Sequence, residues 1–100
     1  MVKVKKQGNI LFVKGIVMNH HFEKVLKSVE DVARENKTIV IDLGELELID
    51  EYGAEQLFKI SNELQRCGYR IELFNAQEKV LTRLLKAGIV PHKKRRQRAG

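Results

Sequence analysis

One hundred residues with 43% apolar and 32% charged side chains suit a single globular domain with one modest core, and both signs of charge are present in numbers that argue against a disordered chain. The net charge of +6 suggests acidic partners until it is located: Lys93, Lys94, Arg95, Arg96 and Arg98 carry all but one unit of it, so the basicity belongs to the tail. Cys67 is the single cysteine, which excludes an internal disulfide and a cysteine-based zinc site, and no apolar run approaches membrane-spanning length or resembles a secretion signal, so a cytoplasmic location is expected.

The chain opens with Val2 and Val4 alternating with Lys3 and Lys5, then Gln7-Gly8-Asn9, then the apolar run Ile10 to Val13. This pattern predicts an antiparallel hairpin whose first strand is a lysine-protected sheet edge. After Gly15 and the apolar piece Ile16-Val17-Met18, Asn19 and His20 are candidate helix caps. Phe22, Val25, Leu26, Val29, Val32 and Ala33 then form one stripe at helical spacing, ending near Asn36.

Thr38 to Leu43 is a strand too continuously apolar to have one face in water, which predicts cover on both faces or a central place in the sheet. Gly44 to Glu47 reads as a surface loop. Asp50 is the expected cap of a second helix whose inner face carries Ala54, Leu57, Phe58, Ile60, Ser61 and Leu64, with Gly68 as a left-handed stop. Arg70 to Phe74 alternates as a strand towards an edge. The run Asn75 to Glu78 has the form of a capping box for a third helix, with Val80, Leu81, Leu84 and Leu85 inside and Ala87-Gly88 at its end. The order β-β-α-β-α-β-α predicts an α/β domain over residues 1–90, with about three helices on a mixed sheet of four to five strands. Residues 91–100 are expected to be a basic, disordered tail.

Three pieces of this chain resemble the STAS domain, the fold of bacterial anti-sigma factor antagonists, over roughly residues 8 to 90. Gly15 followed by Asn19-His20-His21 is similar to the family's Gly-Glu-Leu-Asp-His-His with one extra residue. The strand IVIDL followed by LIDEYG is similar to its hydrophobic-Asp-Ser-Ser-Gly, and NAQEKVLTRLLKAGI to its Ser-Pro-x-Val-x-x-x-Leu-x-x-x-Gly-Leu segment. The resemblance implies a protein-binding module without catalysis, whose partner is an anti-sigma factor that is also a serine kinase, or another regulatory protein. It further implies a switch: phosphorylation of the second serine of Asp-Ser-Ser-Gly.

In this sequence Asp50 matches the aspartate and Gly53 the glycine, while Glu51 and Tyr52 stand where the serines would be. Serine phosphorylation is therefore not expected, and the partner site is expected at Asn19, His20, Asp50, Glu51, Tyr52 and Gly53. A different reading is a structural STAS subunit of a larger assembly, such as a lipid-transport complex or a sensor array, where permanent binding needs no acceptor serine.

The remaining chemistry is bland. His20 and His21 are adjacent and His92 is in the tail, so no metal site is expected. Glu45, Glu47, Asp50 and Glu51 read as a solvated acidic patch, because no nucleophile or partner base accompanies them, and no catalytic residue is assigned. There is no Gly-rich phosphate loop, so no nucleotide or other cofactor is expected. The KKRRQR tail lacks interleaved aromatics, so any nucleic-acid contact is expected to be non-specific and confined to it.

Overall fold

The computed structural model describes residues 1–91; the expectation of a disordered tail falls, apart from Pro91, outside the described residues. In chain order the elements are β1 (Val2–Gln7), β2 (Ile10–Val17), a 3-10 turn (Asn19–His21), α1 (Phe22–Ala33), β3 (Thr38–Ile49), α2 (Glu51–Arg66), β4 (Arg70–Phe74) and α3 (Glu78–Lys86). They form an α/β domain on one mixed sheet of four strands in the order β1-β2-β3-β4. The first hairpin is antiparallel, with Gln7 opposite Ile10 and Gly8 in the left-handed region at φ +60 as the first residue of a two-residue turn. The pairings of β2 with β3 and of β3 with β4 are parallel.

Two crossovers, β2-α1-β3 and β3-α2-β4, step across the sheet in the same direction. Right-handed connections of that kind place both helices on one face. Accordingly Leu11, Val13, Ile39, Ile41 and Leu73 from the strands join Val25, Val29, Val32, Ala54, Leu57, Val80 and Leu84 from the helices in a single core. The apolar run of β3 is explained by its central position, with helix cover on one face only.

The strand extends further than the sequence pattern indicates. Gly44 to Glu47 is not a loop: β3 continues to Ile49, paired with β2 through Lys14–Glu45, Gly15–Leu46, Ile16–Leu48 and Val17–Ile49. Two register shifts, between Phe12 and Lys14 and between Gly15 and Ile16, each place one extra residue on β3. Bulges of this kind switch which residues face inward. Ile39, Ile41 and Leu43 point to the helices, then Leu46, then Ile49, each at most 4% exposed, while Glu45, Glu47 and Leu48 are exposed. The β2 side of the bulged region needs Gly15, which sits at φ +100 with its open side against the Met1 carbonyl, where a Cβ would collide with backbone.

Helix ends depart from expectation in a consistent way. α1 is entered from the 3-10 turn with His21 at its cap position and no side-chain cap, so neither Asn19 nor His20 caps it. It stops at Ala33, a little before the expected Asn36. The capping box at Asn75 does not form: Gln77 holds the cap position of α3, and Asn75 takes φ +65 while its Nδ2 donates to Asp42 Oδ2 at 3.0 Å. Asn75 is thus used to tie the end of β4 to the bulged part of β3. Of the four residues expected inside α3, Val80 and Leu84 are buried, and Leu85 is exposed; in α2, Phe58 is also exposed.

The two glycine stops behave as expected. Gly68 and Gly88 are at φ +90 and +96, and in each case the following residue donates back to the helix, Tyr69 N–H to the Leu64 carbonyl and Ile89 N–H to the Leu84 carbonyl, both at 2.9 Å.

Candidate functional site

The carboxyl ends of β2 and β3 carry the residues that the sequence singles out, and Asp50 joins them. Its N–H donates to the Val17 carbonyl at 3.0 Å, which continues the β2–β3 ladder to the last residue before α2. The side chain then bonds in two directions. Oδ1 accepts the Gly53 N–H at 2.7 Å, capping α2, and Oδ2 accepts the Asn19 N–H at 2.8 Å, holding the turn that leads into α1. Both lengths are at the short end of the N–H···O range. One carboxylate therefore fixes two loops and the first turn of a helix with respect to each other.

Each neighbour is adapted to this junction. Asn19 has φ +52, a left-handed conformation that Asn tolerates better than other residues with a Cβ. The turn closes on itself through the His21 N–H to the Met18 carbonyl at 3.0 Å and the Met18 N–H to His21 Nδ1 at 3.3 Å. His20 is exposed, its ring edge-on to His21 with centroids 5.3 Å apart. Gly53 is buried because a Cβ there would sit 3.0 Å from Ile49 Cγ1 and 3.1 Å from Val17 Cγ1, so the absence of a side chain lets α2 start close to both strand ends.

What faces outward is an acid and three apolar side chains. Glu51 is exposed in the first turn of α2, where the helix dipole favours a negative charge by a fraction of a kcal/mol. Tyr52 is 51% exposed, Leu48 37% and Met18 39%. Leu48 and Tyr52 lie within two positions of Asp50, and Met18 follows Val17, the residue that Asp50 bonds. The fold thus brings Asn19, Asp50, Glu51, Tyr52 and Gly53 to one corner, with His20 at its margin. The sequence reading did not single out Met18 and Leu48. Plain alternation from Ile39, Ile41 and Leu43 would put Leu46 and Leu48 on one outer face; the first bulge turns Leu46 inward and the second leaves Leu48 outside.

Beside this corner a cleft of about 220 Å³ lies between α2 and α3, lined by Glu51, Glu55, Arg83 and Lys86 with Ala54 and Ala87. A larger one, about 530 Å³, lies away from the corner on the first hairpin. Among the described residues no charged side chain is buried and Ser61 Oγ is the one enclosed side-chain polar atom without a hydrogen-bond partner, no group of three His, Cys, Asp or Glu residues could hold a metal ion, and no helix is long and apolar enough to cross a membrane.

Comparison with known proteins agrees with this architecture. The structure is similar to that of the anti-sigma factor antagonist SpoIIAA in its unphosphorylated form, with a TM-score of 0.67 and 16% identity, covering 88% of this chain and 81% of that one. It is also similar to part of the crystal structure of Mglu, with a TM-score of 0.61 and 26% identity over 79% of this chain and 20% of that one, so this chain corresponds to about a fifth of that protein. No curated protein matches the sequence. The family model for the STAS domain matches residues 1–94, nearly the whole chain, and the protein belongs to the STAS domain family.

Proposed function

We propose that this STAS domain is a non-catalytic protein-binding module that engages a regulatory partner through the Asp50 corner, in the manner of an anti-sigma factor antagonist but without a serine phosphorylation switch. The observation that supports this is the pairing of a rigid junction with an exposed aromatic: Asp50 holds both loops, and Tyr52 projects half-exposed from the first turn of α2 beside Met18 and Leu48. Tyrosine is one of the residue types enriched at interface hot spots, and energetically neutral neighbours exclude water around such anchors. Glu51 supplies one permanent negative charge close to the position where a phosphoserine would carry nearly two.

Affinity capture from the native cell, with wild type and Tyr52→Ala compared side by side, tests the location. The partner should be retained by wild type and its capture reduced at least about tenfold by Tyr52→Ala, a typical loss for an interface anchor. An equal yield with both, for folded proteins, places the interface elsewhere.

The switch has its own test. After incubation with ATP and the captured partner, the intact mass should be unchanged. A phosphate on any residue from Asp50 to Gly53 would overturn the reading. The missing acceptor also supports a second reading, a permanent structural subunit of a larger assembly, and the identity of the captured protein separates the two: a kinase-like anti-sigma factor for the first, transporter or sensor-array subunits for the second.

A further inference from the structure

Because both crossovers put their helices on the same side, no helix covers the opposite face of the sheet among the described residues. That face is not an ordinary polar surface. Its centre is Val40, which is 9% exposed yet does not join the main core, flanked in register by Ile10 on β2 and Glu72 on β3's other neighbour. One step along lies the row Lys5, Phe12, Asp42, Phe74, and beyond it the row Lys3, Lys14, Glu45. Lys3 and Lys14 stand directly opposite one another, an arrangement of like charges that disfavours the hairpin. None of Lys3, Lys5 and Lys14 has an acid within ion-pair distance among the described residues, and with Phe12 and Glu45 they line the 530 Å³ cleft. The face is therefore basic on β1 and β2, acidic on β3, and apolar between.

We infer that this bare sheet face is a homodimer interface, its occupant a second copy of this chain related by a two-fold axis parallel to the strands. The charge layout selects that axis. A rotation about a line between β2 and β3 lays β1 over β4 and β2 over β3, so Lys14 of each copy meets Glu45 of the other and Ile10 meets Val40. Phe12 comes over Asp42, whose oxygens already accept bonds from the Gly44 N–H and Asn75 Nδ2. A two-fold axis across the strands would instead lay β1 over β1 and lysine over lysine. The selected arrangement is isologous and leaves the Asp50 corners of both copies at the same end of the dimer, free to engage a partner twice.

Four strands about 4.8 Å apart and about six residues of each at about 3.3 Å give a face of only some 300–400 Å² per copy. Doubled, this is about 600–800 Å², below the roughly 1,200 Å² of stable specific interfaces and in the range of weak, transient ones, so the association is expected to be concentration-dependent.

The test is a charge swap followed by sedimentation velocity over a range of concentrations. Wild type should rise with concentration from 11.6 kDa towards twice that mass. Lys14→Glu and Glu45→Lys should each weaken self-association at least about tenfold, since each turns two attractive pairs into repulsive ones. Mixed in equal amounts, the two variants should associate at least as well as wild type, because every Glu then faces a Lys across the axis. Urea midpoints serve to confirm that both variants are folded, which exposure of the two side chains favours. Wild type that stays monomeric to millimolar concentration overturns the inference. So does a dimer that survives both substitutions, or a mixture that associates no better than the variants alone.

Discussion

Leu46→Ala is expected to lower stability by about 2–5 kcal/mol, the cost of emptying a leucine-sized site in a core that relaxes only in part. Leu46 is 1% exposed and sits between two exposed glutamates on the bulged half of β3. The companion substitution Leu48→Ala should cost under about 1 kcal/mol, because Leu48 is already 37% exposed and removing it opens no cavity. Urea unfolding of the two variants reads the difference directly. Two equal, small losses would mean a solvated loop at Gly44 to Glu47 or an unbulged strand with both leucines on the outer face; two equal, large ones would mean that the second bulge, between Leu46 and Leu48, is absent. Only the bulged strand separates them.

The second large effect is expected at Asp50. Asp50→Ala removes the cap of α2, worth about 1 kcal/mol, and the bond to the Asn19 N–H, a hydrogen bond to a charged group worth about 1.5–3 kcal/mol. The carboxylate is half-buried, so water replaces part of what is lost and about 2–3 kcal/mol is the expected total. Asp50→Asn divides the two contributions. Its carbonyl oxygen still accepts from Gly53 N–H, and asparagine is as good a cap as aspartate, but its amide nitrogen cannot accept from Asn19 N–H. Stability should fall by roughly two thirds as much, as judged by thermal unfolding, with the first turn of α2 intact. If Asn and Ala are equally destabilising, Asp50 acts through its charge or its link to Asn19 and the cap contributes little. If Asn matches wild type, the tether between the two loops is idle. Loss of that tether should also loosen the Met18–Asn19 side of the proposed partner surface, so the same pair of variants connects stability at this corner to binding.

Much of this site was legible because its chemistry is local. Asp50 followed three residues later by a small residue, ahead of an apolar helical stripe, is a capping signature that depends on neighbours in sequence alone. Gly68 and Gly88 were legible for the same reason, as left-handed stops after helical stripes. The matches around Gly15, Asp50 and Gly53 extended this to the family, and they hold at positions where a side chain would collide or where one carboxylate has two partners.

The errors share a cause too. NAQE has the spacing of a capping box, yet Asn75 is taken by Asp42, 33 positions earlier, and the helix starts two residues later than the pattern suggests. Asn19 has a cap's composition, but its N–H is claimed by Asp50, 31 positions later. In both cases a partner distant in sequence outcompeted the local one.

The sequence by itself determined the number, type and order of the elements, because hydrophobic period, turn residues and helix stops act over a few positions. It also showed that Glu51 and Tyr52, and no serine, stand between Asp50 and Gly53, which needs no coordinates to read. Only the tertiary structure decided how far β3 runs and which of its residues face inward, because two bulges flip a period-two pattern twice, and a bulge is a property of paired strands rather than of one segment. It also decided which face of the sheet no helix covers among the described residues, because that follows from the shared direction of two crossovers, and so placed Phe12, Lys14 and Glu45 together on a surface that no local pattern could reveal.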